Sequence, residues 1–115
     1  MKVRLADVDI ADFVGKVISV EGVLLGRGNF VDGGTCWVVP SRDQHDDMSQ
    51  RVEVCPRSFF LKVFESVDLY GGGPYVICYP ATVEGVIVLG ESGPKIDAVS
   101  IEVVTPAKIV TLTAR

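Results

Sequence analysis

Hydrophobic and polar residues alternate near the start of the chain and predict a long strand between Gly15 and Gly26. Ile18, Val20 and Leu24 share one face of this strand, and the polar residues between them fall on the other face. Gly22 lies in the middle of the pattern. A glycine inside a strand usually marks a bulge, a bend or a close backbone approach, so we expect the strand to bend there.

A second stretch of the chain repeats this pattern. The sequence Val-Glu-Gly-Val at residues 20–23 returns at residues 83–86, again inside a long apolar segment. In a small closed barrel the longest strands coil strongly, and a glycine lets them bend without a side-chain clash. The two segments therefore favour a barrel with two long, glycine-bent strands.

The rest of the pattern predicts one helix and several more strands. Phe60, Val63, Phe64 and Val67 follow the spacing of one helical face, with Ser58 as the N-cap. Asp9 is expected to cap a short turn ahead of the first strand. Further strands are predicted at residues 35–39, 51–55, 75–79, 81–89 and 95–104, with a short edge strand at 109–112.

Glycine and proline give the expected breaks between these elements. Residues 26–34 are rich in turn-forming residues and are predicted to be a loop. Pro80 is predicted to kink the chain between two strand segments, and the glycine run at 71–73 is expected to follow the helix. The polar stretch at residues 41–50 is expected to connect the second and third barrel strands.

Two regions of the sequence resemble the OB-fold (oligonucleotide/oligosaccharide-binding) superfamily. Residues 13–22 look like the opening strand of many OB domains, and residues 83–86 with 96–104 look like their closing hairpin. The resemblance implies a mainly β protein, a five-stranded Greek-key barrel with one helix between strands 3 and 4. It also implies that the first and fourth barrel strands are neighbours. We expect a single domain over residues 1–115, with its core at about 10–104.

Composition and charge narrow the classes of function. The chain of 115 residues is 48% hydrophobic, carries a formal net charge of −4 and has a sequence pI near 4.8. Its basic residues are scattered, whereas binding through nucleic-acid phosphates needs a concentrated positive surface. The first residues do not resemble a signal peptide, and no apolar run is long enough to cross a bilayer. We therefore expect a cytoplasmic protein that does not bind membranes and whose partner has a basic surface.

The residues that support catalysis or metal binding are scarce. The only histidine, His45, lies beside Asp43, Asp46 and Asp47, and this set is the one candidate for a metal site. Ligands in one contiguous polar loop seldom converge on an ion, so we expect a solvated acidic loop and no metal. No serine or cysteine occurs in a nucleophile motif, and no glycine-rich segment has the pattern of a phosphate loop. We predict a protein that is not an enzyme, with no catalytic residues and no cofactor.

The three cysteines are expected to be reduced. Cys36, Cys55 and Cys78 form no Cys-x-x-Cys pair, which argues against both a structural zinc and a disulfide framework. Buried free cysteines behave as small apolar residues. A disulfide between Cys36 and Cys55, across neighbouring strands, is the alternative.

Binding is therefore the expected activity, and two kinds of partner remain open. Domains similar to this one hold single-stranded nucleic acid across their second and third strands, through aromatic residues and nearby cations. The candidate residues for such a binding face are Trp37, Phe30, Arg27, Arg42 and Arg51. The alternative for Trp37 is a place in the core, because tryptophan is highly buried on average.

A protein partner is the first expectation. A small acidic barrel without catalytic residues suits an adaptor, or an inhibitor or immunity-type protein that covers a basic partner. The candidate contact is then the acidic loop with Asp43, Asp46 and Asp47, where electrostatic steering would act. Single-stranded DNA or RNA is the alternative.

Overall fold

Two long antiparallel strands form the centre of the sheet. The computed structural model describes residues 1–29, 31–41, 51–68, 75–91 and 93–113. Strand β2 (Val17–Asn29) pairs with β5 (Ile77–Gly90), and Val20 lies opposite Val83. The two Val-Glu-Gly-Val segments thus meet at their first valines, on neighbouring strands as the resemblance to OB domains implies. Their inward valines pack in the barrel interior.

Three further strands close the barrel. These are β3 (Gly33–Val39), β4 (Val52–Cys55) and β6 (Gly93–Val104). The order around the barrel is β2, β3, β4, β6, β5 and back to β2, with β4 and β6 parallel and the other neighbours antiparallel. The predicted mainly β, five-stranded barrel is confirmed, and its architecture is compatible with an OB-like fold.

The helix follows the third barrel strand, as predicted. Helix α1 (Ser58–Ser66) lies between β4 and β5 and buries Phe59, Phe60 and Val63 against the barrel. The expectation that Ser58 is the N-cap is wrong by one residue. Arg57 occupies the N-cap position and its side chain makes no capping bond, so Ser58 is the first helical residue. No described helix is long and apolar enough to cross a membrane.

Short elements extend the barrel at both ends of the described chain. Strand β1 (Lys2–Arg4) pairs in parallel with β2, and β7 (Ile109–Thr113) pairs with β6, which confirms the predicted edge strand. Single turns of 3-10 helix cover residues Leu5–Asp7 and Ile10–Phe13. The Asp9 side chain accepts a hydrogen bond from the Ala11 N–H at 3.1 Å, so the predicted cap is present.

Side chains of the strands and of helix α1 fill the barrel interior. The predicted inward faces of the strands at residues 18–24 and 52–54 are buried as expected. Cys36 belongs to this core, but Cys55 is half-buried on the other side of the sheet. Cys36 pairs with Val54 across the strands, so the two cysteines point to opposite faces. The alternative of a disulfide between Cys36 and Cys55 is wrong, because none of the three cysteines forms a disulfide.

Two predicted breaks in the β structure are absent. Most of residues 26–34 belongs to strands rather than a loop, because β2 and β3 pair as far as Asn29 and Gly33. The glycines there permit close contact, since a Cβ on Gly28 would lie 2.3 Å from the Gly33 carbonyl oxygen. Likewise, β5 continues through Pro80 without a break. Pairing with β6 starts only at Ala81, so Pro80 has a neighbouring strand on one side only, where proline is tolerated.

The glycines of the repeated motif allow close backbone approach. At Gly85 the β5–β6 register shifts by a bulge, and a Cβ there would lie 2.2 Å from the Asp97 carbonyl oxygen. At Gly22 a Cβ would lie 2.6 Å from the carbonyl oxygen of Val39 on β3. Both positions therefore exclude a side chain, which is the physical reason for glycine in each long strand.

Candidate functional site

A second, smaller apolar cluster lies on the outside of the barrel. Because side chains alternate along a strand, Leu24 enters the core and Leu25 points outward. Leu25 pairs with Trp37 on β3 and with Cys78 on β5. We call this group the Trp37 face and define it by the clustered side chains of Leu25, Trp37, Val39, Tyr75 and Cys78, together with Arg51. Its aliphatic residues, Tyr75 and Cys78 are buried, and only Trp37 and Arg51 are partly exposed.

The two aromatic rings of this face meet edge to face. The ring centroids of Trp37 and Tyr75 are 6.4 Å apart and the planes are inclined by 83°. Such T-shaped pairs are attractive because the positive edge of one ring meets the negative face of the other. Tyr75 is buried and Trp37 is half-buried. Trp37 is thus neither a core residue nor a fully exposed platform.

Arg51 lies against both rings. Its guanidinium carbon is 4.9 Å from the centroid of Trp37 and 5.7 Å from that of Tyr75. Its Nη2 also donates a hydrogen bond to the Tyr75 hydroxyl. A partly desolvated cation over an aromatic face is attracted by the ring quadrupole, so these contacts hold the arginine side chain in one orientation. The result is a pre-ordered Trp–Arg–Tyr cluster.

Two oppositely charged residues at the edge of this face form an ion pair. Glu53 lies opposite Trp37 on β4, and its carboxylate is 3.3 Å from the Lys95 ammonium on β6. The Cys55 thiol lies 3.6 Å from the same carboxylate. Burial, and next the negative charge of Glu53, raise the pKa of Cys55, so this thiol is a poor nucleophile at neutral pH.

The structure brings together only part of the predicted binding residues. Trp37 and Arg51 are in contact, as their prediction as one binding face requires. Arg27 is exposed on the same side of the sheet, two residues beyond Leu25 and opposite Thr35. The other predicted residues lie outside the described part of the chain: Phe30, Arg42, Asp43, His45, Asp46 and Asp47.

Tyr75 belongs to this face although the sequence pattern did not indicate it. Tyr75 precedes β5 and is far from Trp37 and Arg51 along the chain. The available signal was the pairing of the first and fourth barrel strands, which the resemblance to OB domains implies. Extending that pairing along β2 places the start of β5 beside Leu25 and hence beside Trp37.

The outer side of the barrel around β5 and β6 is polar, unlike the Trp37 face. A shallow groove there is lined by hydroxyl and charged side chains, namely Lys2, Ser19, Thr82, Glu84, Ser100, Glu102 and Thr111. The Ser19 hydroxyl donates a hydrogen bond of 3.5 Å to the Glu84 carboxylate. Within the described residues, no group of three histidine, cysteine or acidic side chains is arranged to hold a metal ion. This groove therefore differs from the Trp37 face, which carries the contacts between Trp37, Tyr75 and Arg51.

Comparison with known proteins does not add to this description. Neither the protein families, nor the curated proteins, nor the solved structures contain a match to this chain. The candidate site therefore depends on the geometry of the chain itself.

Proposed function

We propose that this protein is a non-enzymatic binding module that contacts a partner protein through the Trp37 face. The observation that carries the proposal is the packed group of Trp37, Tyr75 and Arg51 on the outer side of the barrel wall, where Trp37 and Arg51 stay partly exposed over a buried Tyr75. These are the residue types most enriched among the energetically important residues of protein interfaces. Their mutual contacts restrict the side chains before binding, which lowers the entropy lost in a complex.

The barrel is proposed to belong to the OB-fold superfamily. Supporting this assignment are the closed order of five strands, the parallel pairing of β4 with β6, and the helix between β4 and β5. OB domains use the surface of their second and third strands for binding. Trp37 lies on the second barrel strand, and Arg51 directly precedes the third.

Single-stranded DNA or RNA is the second candidate for the same face. An aromatic ring with a nearby arginine is the usual stacking platform for a base, and this observation favours nucleic acid. Against it, the Arg51 guanidinium already lies over the ring of Trp37, and the neighbouring Lys95 is paired with Glu53. A base would have to displace the arginine to stack on that side of the ring. The protein partner is therefore preferred.

Charge favours a partner with a basic surface. The chain has fifteen acidic residues and eleven basic ones, so its net field attracts positively charged proteins and speeds their encounter. An adaptor, or an inhibitor of a basic protein, fits this balance. The absence of catalytic activity and of a cofactor, and the cytoplasmic location, stay predictions.

Binding by matched variants tests the proposal. The wild type, Trp37→Ala, Arg51→Ala and the control Val99→Ala are immobilised and used to capture partners from a lysate of the source cells. Val99 is 51% exposed and lies away from the Trp37 face, at the β-bulge. A captured protein is then purified and titrated against each variant. We expect the Trp37 and Arg51 variants to lose about 30-fold in affinity, as for interface residues worth about 2 kcal/mol, and the control to bind as the wild type does.

Two parallel measurements make the result interpretable. Urea unfolding measures the stability of each variant and so verifies that a variant with weak binding is still folded. Fluorescence anisotropy with labelled single-stranded DNA and RNA, at low and physiological salt, tests the second candidate. Salt-sensitive nucleic-acid binding that requires Trp37 would replace the protein proposal. A partner that binds all four proteins equally would contradict the Trp37 face as its site.

A further inference from the structure

The two edge strands of the sheet differ in how they are protected. Strand β1 carries Lys2 and Arg4, and charges on an edge discourage pairing with another chain. Strand β7, with the sequence Ile-Val-Thr-Leu-Thr, contains no charge, proline or bulge. Within the described residues, β7 pairs only with β6. Its outer edge is therefore a candidate for pairing with a further strand.

The hairpin geometry shows which backbone groups face this edge. The Thr105 N–H donates to the Lys108 carbonyl at 2.9 Å and closes the turn between β6 and β7. Hydrogen-bonded and non-hydrogen-bonded pairs alternate in an antiparallel ladder, so Val110 and Leu112 bond to β6. The N–H and C=O groups of Ile109 and Thr111 then point away from β6. Both residues are exposed, Ile109 by 64%.

The far end of the edge is already engaged. The Lys62 ammonium on α1 donates to the Thr113 carbonyl at 2.7 Å, which fits the outward direction deduced for alternate residues. This contact leaves Ile109 and Thr111 as the pairing positions. A strand that joins the edge without disturbing Lys62 must therefore be centred on Val110.

We propose that the outer edge of β7 pairs with β7 of a second copy of this chain in a two-fold dimer. An antiparallel pair centred on Val110 places Ile109 of each copy opposite Thr111 of the other. Each of these two pairs can exchange both backbone hydrogen bonds. The edge is thus its own complement, as a closed two-fold interface requires. β-Branched residues face each other across it, and the exposed Ile109 side chain becomes covered.

Sedimentation velocity over a range from micromolar to millimolar protein tests the dimer. We expect the wild type to shift from monomer to dimer as concentration rises. Ile109→Lys should remain monomeric at every concentration, because it places a charge on each side of the interface. Val17→Lys is the matched control, since Val17 is 65% exposed on β2 and lies outside the proposed interface. This control should dimerise as the wild type does.

A second variant tests the backbone pairing. Thr111→Pro removes an outward N–H without removing a bond to β6, so the barrel should keep its far-UV circular dichroism spectrum while the dimer is lost. A wild type that stays monomeric at every concentration would overturn the proposal. Equal dimerisation of Ile109→Lys and the wild type would do the same. A dimer that Trp37→Ala disperses while Ile109→Lys does not would assign self-association to the Trp37 face instead.

Discussion

The thiol of Cys36 is the residue whose surroundings most change its chemistry. Its side chain is buried in the barrel core, and this burial raises its pKa from 9.0 to about 12. An apolar environment disfavours the thiolate, so the folded protein keeps this proton more firmly than the unfolded chain. The corresponding stabilisation is complete below about pH 9 and is lost as the pH rises toward 12.

A pH series checks this effect directly. Between about pH 8 and about pH 10, the wild type should lose on the order of 1 kcal/mol more unfolding free energy than Cys36→Ala, because only the wild type ionises this thiol on unfolding. Urea titrations at both pH values measure the difference. Other groups that titrate in this range are common to both proteins and cancel. Equal losses in the two proteins would contradict the raised pKa of Cys36.

At the scale of single elements, the bulge at Gly85 controls how β5 and β6 fit together. A Cβ on Gly85 would lie 2.2 Å from the Asp97 carbonyl oxygen and 2.8 Å from the Ala98 Cα, and both are backbone atoms. Gly85→Ala should therefore force the strands apart and cost about 1–3 kcal/mol of unfolding free energy, as overpacked cores do. Denaturant unfolding measures this change.

Gly90→Ala is the matched control in the same strand. Its added Cβ would lie 2.4 Å from Cε of Lys95, the flexible end of a side chain that can move aside. The move would cost only the partly exposed ion pair with Glu53, worth less than about 1 kcal/mol. If the two alanine variants were equally stable, the bulge would not require glycine at position 85.

The strands and the helix show which features of the fold can be predicted from the sequence. Long strands and α1 were predictable because their apolar residues keep one period over several turns or alternations. The prediction of a loop at residues 26–34 was wrong because glycine signals a loop in general, whereas Gly28 and Gly33 permit close pairing of β2 with β3. Strand β1 was not predicted, since Lys2–Arg4 is short and its pairing with β2 is a tertiary property.

The candidate site was predictable only in part, because two of its three central residues could be found from the sequence. Trp37 and Arg51 were identified because OB domains bind across their second and third strands, and these residues supply an aromatic ring and a cation in that part of the chain. Tyr75 was missed because a distant strand brings it there, and only the β2–β5 register reveals this. Half-burial of Trp37 also follows from tertiary packing with Tyr75 and Arg51, which no local pattern encodes.

At the scale of the whole molecule, the inner core and the Trp37 face depend on the same strands. Adjacent residues alternate between them, since Leu24 is in the core and Leu25 in the outer cluster, and Val38 and Val39 divide in the same way. Because the same strands form both clusters, neither cluster can unfold while the other stays folded. The protein should therefore unfold as one cooperative unit, as most small domains do.

Trp37 allows a direct test of this cooperativity because it is the only tryptophan in the chain and belongs to the outer face. Its fluorescence reports the Trp37 face, whereas far-UV circular dichroism reports the barrel strands. Equilibrium urea curves from the two signals should coincide in midpoint and slope, since one transition exposes both clusters. Val99→Ala should shift both curves together by less than about 0.5 kcal/mol, because the residue is exposed. A fluorescence transition at lower urea than the circular dichroism transition would mean that the Trp37 face opens while the barrel stays folded.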